Sequence, residues 1–446
     1  MIIREIHQNV VGSRVTCWLL VSCLFGAEVG ASPELPGEPL DGTIALVGGN
    51  IYPVSAPPIE DGILLVRDGK IAGVGQSDFQ VPSGTRKIAV NGRSLYPGLF
   101  NTDGLLGLIE INSVRATRDY SEVGSLTPNV RAEVAVNPDS ELIPVTRSGG
   151  VLLSLTSPRG GLVSGTSAVL QLDGWTWEDL VVKAPAAMHV RWPRMEWPDE
   201  ADKKEESPSV LSIRRLRELL RDARVYQMAG PDRTGKGSDL RLESMGPVLN
   251  REVPVMVAAD TASQIRSAVS FALEQKIRII IRGGYDAESC ASLLREHDVP
   301  VIISGVHRLP LRRHDPYDHP FTLPNRLREA GVRFCISAND RFNAPNIRNL
   351  PYQAGHATAY GLPRDEALKA ITLYPAQILN VADRVGSLEV GKDATFIVTD
   401  GDPLETPTLV ERAYVQGREV DLSDRHKRLW RKYQERLRRL ERDETD

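Results

Sequence analysis

Tyr96-Pro97-Gly98-Leu99-Phe100-Asn101-Thr102-Asp103-Gly104-Leu105 is where this chain changes character. Upstream, over 44–90, short apolar runs are broken by turn signals. Ile44-Ala-Leu-Val is one run, 63–71 reads as a hairpin around Asp68-Gly69, and Pro82-Ser83-Gly84 makes a further turn. No helical period runs through this part, which reads as a small β domain. Downstream, from Pro97 to about Val381, apolar strand runs alternate with helical segments. The stretch therefore leads from one domain into another and supplies the second domain's first strand, at 99–101.

Seven more strand candidates follow, at 151–154, 168–172, 188–192, 253–258, 277–281, 299–304 and 333–337. Helical patterns fit 209–228, 261–275, 287–296, 323–330, 353–360 and 364–379. Such alternation over nearly 300 residues predicts a parallel α/β architecture, and eight strands favour closure into a barrel. The β pattern then returns at 386–398 and 410–420, so residues 42–97 and 386–422 are expected to form one composite small β-sandwich domain around a (β/α)8 TIM-like barrel over 98–385. Residues 199–206 form a charged run and read as a solvated loop, and a longer loop spans 107–147. The segment 230–237 imitates a phosphate-binding loop, but it follows a helix and carries Gly237 where Ser or Thr belongs.

The ends of the chain read differently. Arg4 and Arg14 precede an apolar run over 15–27, and Val29-Gly30-Ala31 resembles a cleavage site, so 1–31 is expected to be an export signal and 32–41 a Pro-rich linker. Leu20-Val21-Ser22-Cys23 leaves lipid anchoring through Cys23 as the lesser alternative. Export implies a periplasmic or cell-envelope location, with membrane contact only through the signal or that anchor. At the other end, 423–446 has Leu429, Tyr433, Leu437 and Leu440 at helical spacing. Its nine basic residues are interleaved with six acidic ones, so a surface helix docked by its apolar stripe is expected rather than a nucleic-acid arm. The 446 residues carry a formal charge of −4, which gives no overall pull toward nucleic acid. Of four cysteines, Cys290 and Cys335 lie outside the signal, too far apart for a disulfide framework or zinc spacing and expected to be buried hydrophobes.

The segment 382–404 (Ala-Asp-Arg-Val-Gly-Ser-Leu-Glu-Val-Gly-Lys-Asp-Ala-Thr-Phe-Ile-Val-Thr-Asp-Gly-Asp-Pro-Leu) resembles the C-terminal signature of the amidohydrolase superfamily, in its imidazolonepropionase-like branch. Residues 362–376 look like that family's last barrel helix, and 61–73 with Tyr96-Pro97-Gly98 like its entry into the barrel. The resemblance covers nearly all of 42–422. It implies a (β/α)8 barrel with a composite β domain, usually hydrolysing C–N bonds of small amides. It also implies divalent metal held by His-x-His after strand one, histidines on strands five and six, and an aspartate after strand eight.

This sequence departs from that set. Asp103 and Leu105 occupy the His-x-His slots, Ala258 and Arg282 the strand-five and strand-six slots, and Asn339, with Asp340 one step beyond, the last. Leucine and alanine donate nothing to a metal and an arginine repels one, so a conventional zinc site is not expected. Asp103, Asp260 and Asp340 are left as carboxylates at strand ends, able to hold a hard cation such as Mg²⁺ or Mn²⁺ or to divide acid and base roles. Asp103, Asp340 and Asn339 are the catalytic candidates, while Asp260, which with Thr261 precedes a helix, reads more readily as an N-cap. Polar loop residues Glu110, Arg115, Arg159, Arg282, His307 and Arg348 are the candidate substrate contacts, with Gly160-Gly161 positioned to bring backbone N–H groups to an anion. His307, His314 and His319 cluster in a lid-like loop, while His189 reads as a core or lining residue. The expected function is an exported hydrolase of non-peptide C–N bonds in a small cyclic or linear amide, its metal site non-standard or absent. The alternative is a non-catalytic binding or scaffold protein on the same fold.

Overall fold

A computed structural model describes residues 35–195, 207–230, 237–338 and 344–443. The expected export signal, the charged run 199–206, the centre of the 230–237 loop, and Asn339 with Asp340 lie outside the described residues.

The first sheet contains β1 (Thr43–Ile51), β2 (Ile59–Arg67), β3 (Lys70–Gly75), β4 (Arg86–Ala89) and β5 (Ser94–Pro97), and also β14 (Phe396–Thr399), β15 (Val410–Val415) and β16 (Arg418–Val420). Its order is β16-β15-β14-β5-β1-β2-β3, with β4 paired to β1. The antiparallel pairing of β14 on β5 brings strands 299 positions apart into register, Phe396 opposite Pro97. A core of Ile44, Leu46, Leu64, Leu95, Phe396 and Tyr414 holds the two sets of strands together.

The second sheet is the barrel: β6 (Leu99–Gly104), β7 (Val151–Thr156), β8 (Val163–Gln171), β9 (Val181–Arg191), β10 (Val255–Ala259), β11 (Ile279–Gly283), β12 (Val301–Ile303) and β13 (Phe334–Ile336), hydrogen-bonded in sequence order. Phe100, Leu153, Val169, Ala187, Met256, Ile280, Ile302 and Cys335 pack as its inner core. Opposite faces of the same strands meet the helices, as the period-two alternation of strand side chains requires. The result is a TIM-like barrel with an additional β sheet.

Two details correct the sequence reading. The third barrel strand is antiparallel to both neighbours, so the sheet is not wholly parallel. Residues 157–162 and 172–180 are its connections, and a parallel crossover needs about a dozen residues or more. The helix expected over 364–379 is also broken, into Arg364–Lys369 and Leu373–Ile378. The break frees carbonyls: Ala370 accepts from Ile336 N at 3.0 Å and Ile371 from Phe100 N at 2.8 Å. This short piece bridges β13 to β6. Asn101 clasps the same seam, its Oδ1 accepting from Ala338 N at 2.9 Å and Ser337 Oγ at 3.0 Å.

The C-terminal helix, Arg425–Asp443, is capped by Asp424, whose Oδ1 accepts from His426 N and Lys427 N. The expected docking of its apolar stripe does not occur. Leu429, Trp430, Tyr433, Leu437 and Leu440 are all exposed.

Candidate active site: an arginine-lined cleft

The carboxyl ends of the barrel strands surround a cleft of about 520 Å³, lined by Arg159, Arg191, Trp192, Arg194, Ala258, Ala259, Asp260, Gln264, Arg282, Gly283 and Ser304. Strand register explains the convergence. His189 pairs with Met256, two residues later Arg191 pairs with Ala258, and Ala258 pairs with Arg282. Alternation then places Arg191, Ala258 and Arg282 in one layer at the mouth, above the apolar core.

Asp103 forms the floor of the arrangement. It is fully buried. Arg159 Nη2 donates to its Oδ1 at 2.5 Å, Arg282 Nη1 reaches both oxygens at 3.1 Å, and Ser304 Oγ lies 3.3 Å from Oδ2. Both guanidiniums are largely buried, with 20% and 16% of their side-chain surface exposed. One carboxylate held between two guanidiniums is a tight charge-assisted cluster with a net positive charge. Arg191 and Arg194 add to it, so the cleft is strongly cationic and favours anions.

Asp260 is the carboxylate that faces the cleft. The N-cap role falls instead to Thr261, in a reciprocal capping box with Gln264. Asp260's backbone is pinned, its N–H donating to Gln264 Oε1 and its carbonyl accepting from Asp286 N. Its side chain is 40% exposed and meets Arg308 Nη1 at 3.3 Å. Gly283 has φ +104°, and a Cβ there would stand 2.8 Å from Asp260 Oδ1, so only glycine leaves the carboxylate in place.

The described side chains in the expected ligand slots do not fit a divalent metal; Asn339 and Asp340 lie outside the described residues. Asp103 is engaged by two arginines, Arg282 brings positive charge, and Ala258 has no donor. Leu105 is buried against Ile109 and Ala344. Among the described residues, no group of three or more His, Cys, Asp or Glu side chains is placed to hold a metal. Asp103 and Asp260 serve separate arginine partners instead of converging as a ligand pair.

Other candidates sit elsewhere. Glu110 accepts from Asn137 Nδ2 at 3.4 Å, and burial raises its carboxyl above the usual range. Arg115 is exposed in the turn Arg115–Thr117. His307 Nε2 lies 3.1 Å from His356 Nδ1, and its backbone N–H donates to Gln353. Arg348 contacts His426 of the C-terminal helix at 3.1 Å. None of these four lines the cleft. A Cβ on Gly161 would lie 2.8 Å from the Ser125 carbonyl, so the close approach of the two loops requires glycine there. Sequence reading passed over Arg191, Arg194 and Trp192. The available signal was position, because Arg191 falls two residues after His189 at the end of a candidate strand.

Two buried groups narrow the chemistry. Burial pushes the Cys335 thiol up to about 12, with the Asp103 charge adding to the effect and a Thr102 contact opposing it, so no thiolate is available. Burial pushes His189 down to about 4, only partly countered by the Asp103 charge, so its ring is neutral at pH 7. Its Nε2 has no hydrogen-bond partner among the described residues. A depressed folded-state pKa means the unfolded chain binds the proton first. Stability from this group is full above about pH 6.5 and is lost as pH falls toward 4, by up to roughly 3 kcal/mol. Urea titrations from pH 7.5 to 4.5 should show that loss, and His189→Leu should flatten it. An unchanged slope in the variant would remove His189 from the account.

Residues 207–420 match the amidohydrolase family. The chain is 24% identical over 398 residues to amidohydrolase tasK of Hapsidospora irregularis, covering 80% of this chain and 39% of that one. It is 36% identical over 77 residues to the imidazolonepropionase of Syntrophobacter fumaroxidans, covering 17% and 18% of the two chains. Over 180 residues it is 26% identical to the imidazolonepropionase of Mesorhizobium japonicum, 40% of each chain. Each alignment thus spans less than half of the curated relative's length. Among solved structures, an amidohydrolase from Thermotoga maritima MSB8 matches with a TM-score of 0.75 at 25% identity, covering 85% of this chain and 99% of that one. Fold, family match and relatives together support the amidohydrolase superfamily, with imidazolonepropionase-like relatives.

Proposed function

We propose that the chain is an exported hydrolase of non-peptide C–N bonds in small amides that carry an anionic group, working through an arginine–carboxylate site. The family match supports the reaction class. The cationic cleft, with Arg159, Arg191, Arg194 and Arg282 around one accessible carboxylate, carries the substrate assignment. The N-terminal apolar run behind Arg4 and Arg14 supports export to the periplasm or cell envelope. The two sets of strands in the first sheet are read as the composite β-sandwich that buttresses the barrel.

In this reading an arginine binds the anionic arm, and Arg282 donates to the scissile carbonyl oxygen. Asp260 takes a proton from a water whose oxygen attacks the carbonyl carbon. The oxyanion forms against the guanidinium, a contribution of about 10²–10³ in rate for a well-placed donor. As the C–N bond breaks, the proton held on Asp260 passes to the leaving nitrogen. Asp103 touches no substrate and acts as a positioning residue that aims Arg159 and Arg282.

The test is turnover of a panel of N-acyl amino acids and cyclic amides bearing a carboxylate, beside their neutral analogues, in excess chelator. Anionic members should be cleaved with kcat/KM at least about 10-fold above the neutral ones, unaffected by the chelator. Loss of turnover in chelator and its return with stoichiometric metal would contradict the site. Ligand-induced stabilisation without any turnover would favour the non-catalytic alternative.

A further inference from the structure

The C-terminal helix carries an apolar face that stays exposed in the fold. At 100° per residue, Leu429, Trp430, Tyr433, Leu437 and Leu440 fall within an arc of about 100°. Their exposures are 41%, 64%, 54%, 56% and 48%. Beyond Arg428, among the described residues, only Gln434 and Glu435 are even partly buried. A helix this exposed gains little from packing on its own fold, although burial of one face is what ordinarily stabilises helices. Its base is nevertheless fixed: Arg428 pairs with Glu141 at 3.1 Å and His426 contacts Arg348.

Charge selects what covers the stripe. The 19-residue helix Arg425–Asp443 carries nine basic and three acidic residues, a net charge of +6 on a chain whose total is −4. Glu435 is already engaged by Arg438, Arg439 and Arg442. All nine basic residues fall on the arc that the apolar stripe leaves, with Arg436 at one margin and Lys427 and Arg438 toward the other. Long cationic side chains flanking an apolar stripe that contains Trp and Tyr suit the boundary between acyl chains and anionic headgroups. A second copy is a poorer occupant. Trp430, Tyr433, Leu437 and Leu440 make only two heptads, fewer than the three or four of a stable coiled coil, and pairing would oppose two clusters of +6.

We propose that this helix is an interfacial arm that lies on an anionic lipid surface, its apolar stripe below the headgroups and its basic face among them. The proposal is independent of the cleft and its chemistry. It is tested by co-sedimentation of the full chain with phosphatidylglycerol-containing vesicles and with pure phosphatidylcholine vesicles, beside the double variant Trp430→Ser/Leu437→Ser. The N-terminal segment is common to both proteins, so their difference reports the helix. Partitioning onto anionic vesicles should exceed that onto neutral ones by at least about 10-fold, fall at least about 10-fold in the variant, and fall again in about 0.5 M salt. Both replaced residues are exposed, so the variant should keep the wild-type circular dichroism and thermal midpoint. Equal partitioning of wild type and variant would overturn the proposal. So would equal partitioning onto neutral vesicles, or stripe-dependent self-association without lipid in sedimentation velocity.

Discussion

Asparagine at position 260 is expected to lower kcat by about 10²–10⁴-fold, the range lost when a positioned general base is removed, while the protein stays folded. Asn matches Asp in size but cannot accept a proton from water. The ion pair that disappears, Asp260 with Arg308, is partly exposed on both sides, 40% and 25%. Pairs of that kind contribute about 0–1 kcal/mol, so stability should hardly change. Binding should respond in the opposite sense to catalysis. Removing a negative charge from a cationic cleft strengthens attraction for an anionic substrate, so KM should stay level or fall. A stable variant with unchanged KM and kcat within about threefold of wild type would show that Asp260 is not the base.

Much of the barrel was legible because apolar runs of strand length recur with helical segments between them. What the runs hid was the direction of the third strand. Its first half, Val163-Ser-Gly-Thr-Ser167, reads as polar loop, which made the link from the second strand look long enough for a crossover. In the fold those residues are buried, because the segment 125–131 bridges to Val163 and Thr166 and covers them. The departures from the family's ligand set were readable by position. The partners of Asp103 were not: Asp103 and Arg282 are 179 residues apart, and Arg159 lies in a loop. Thr261 and Gln264 do form a readable capping signature, which gives the cap to Thr261 and leaves the Asp260 side chain to the cleft. The C-terminal helix shows another limit. Periodicity defines an apolar face and is silent on what covers it.

The Asp103 cluster makes the strongest prediction about stability. Asp103→Ala removes the one carboxylate that, among the described residues, Arg159 and Arg282 share, and takes that counter-charge from two largely buried guanidiniums 2.5–3.1 Å from its oxygens. Breaking a buried ion pair on one side costs about 3–5 kcal/mol, because the desolvation of the surviving charge is no longer offset. Here two charges survive and repel each other. Arg282→Met should cost less, since Asp103 keeps Arg159 and Ser304. The decisive measurement is the double variant Asp103→Ala/Arg282→Met in urea denaturation. With the carboxylate already gone, removing one of two repelling guanidiniums should recover at least about 1 kcal/mol of the loss, a coupling typical of residues in one network. Additive losses would mean that the three side chains do not act as a unit. The same variants separate stability from recognition. Asp103→Ala leaves the cleft more cationic but its arginines unaimed, so anion affinity in the folded fraction should drop even as net positive charge rises. Rising affinity would instead mean that charge alone, without the orientation Asp103 imposes, governs what enters the barrel mouth.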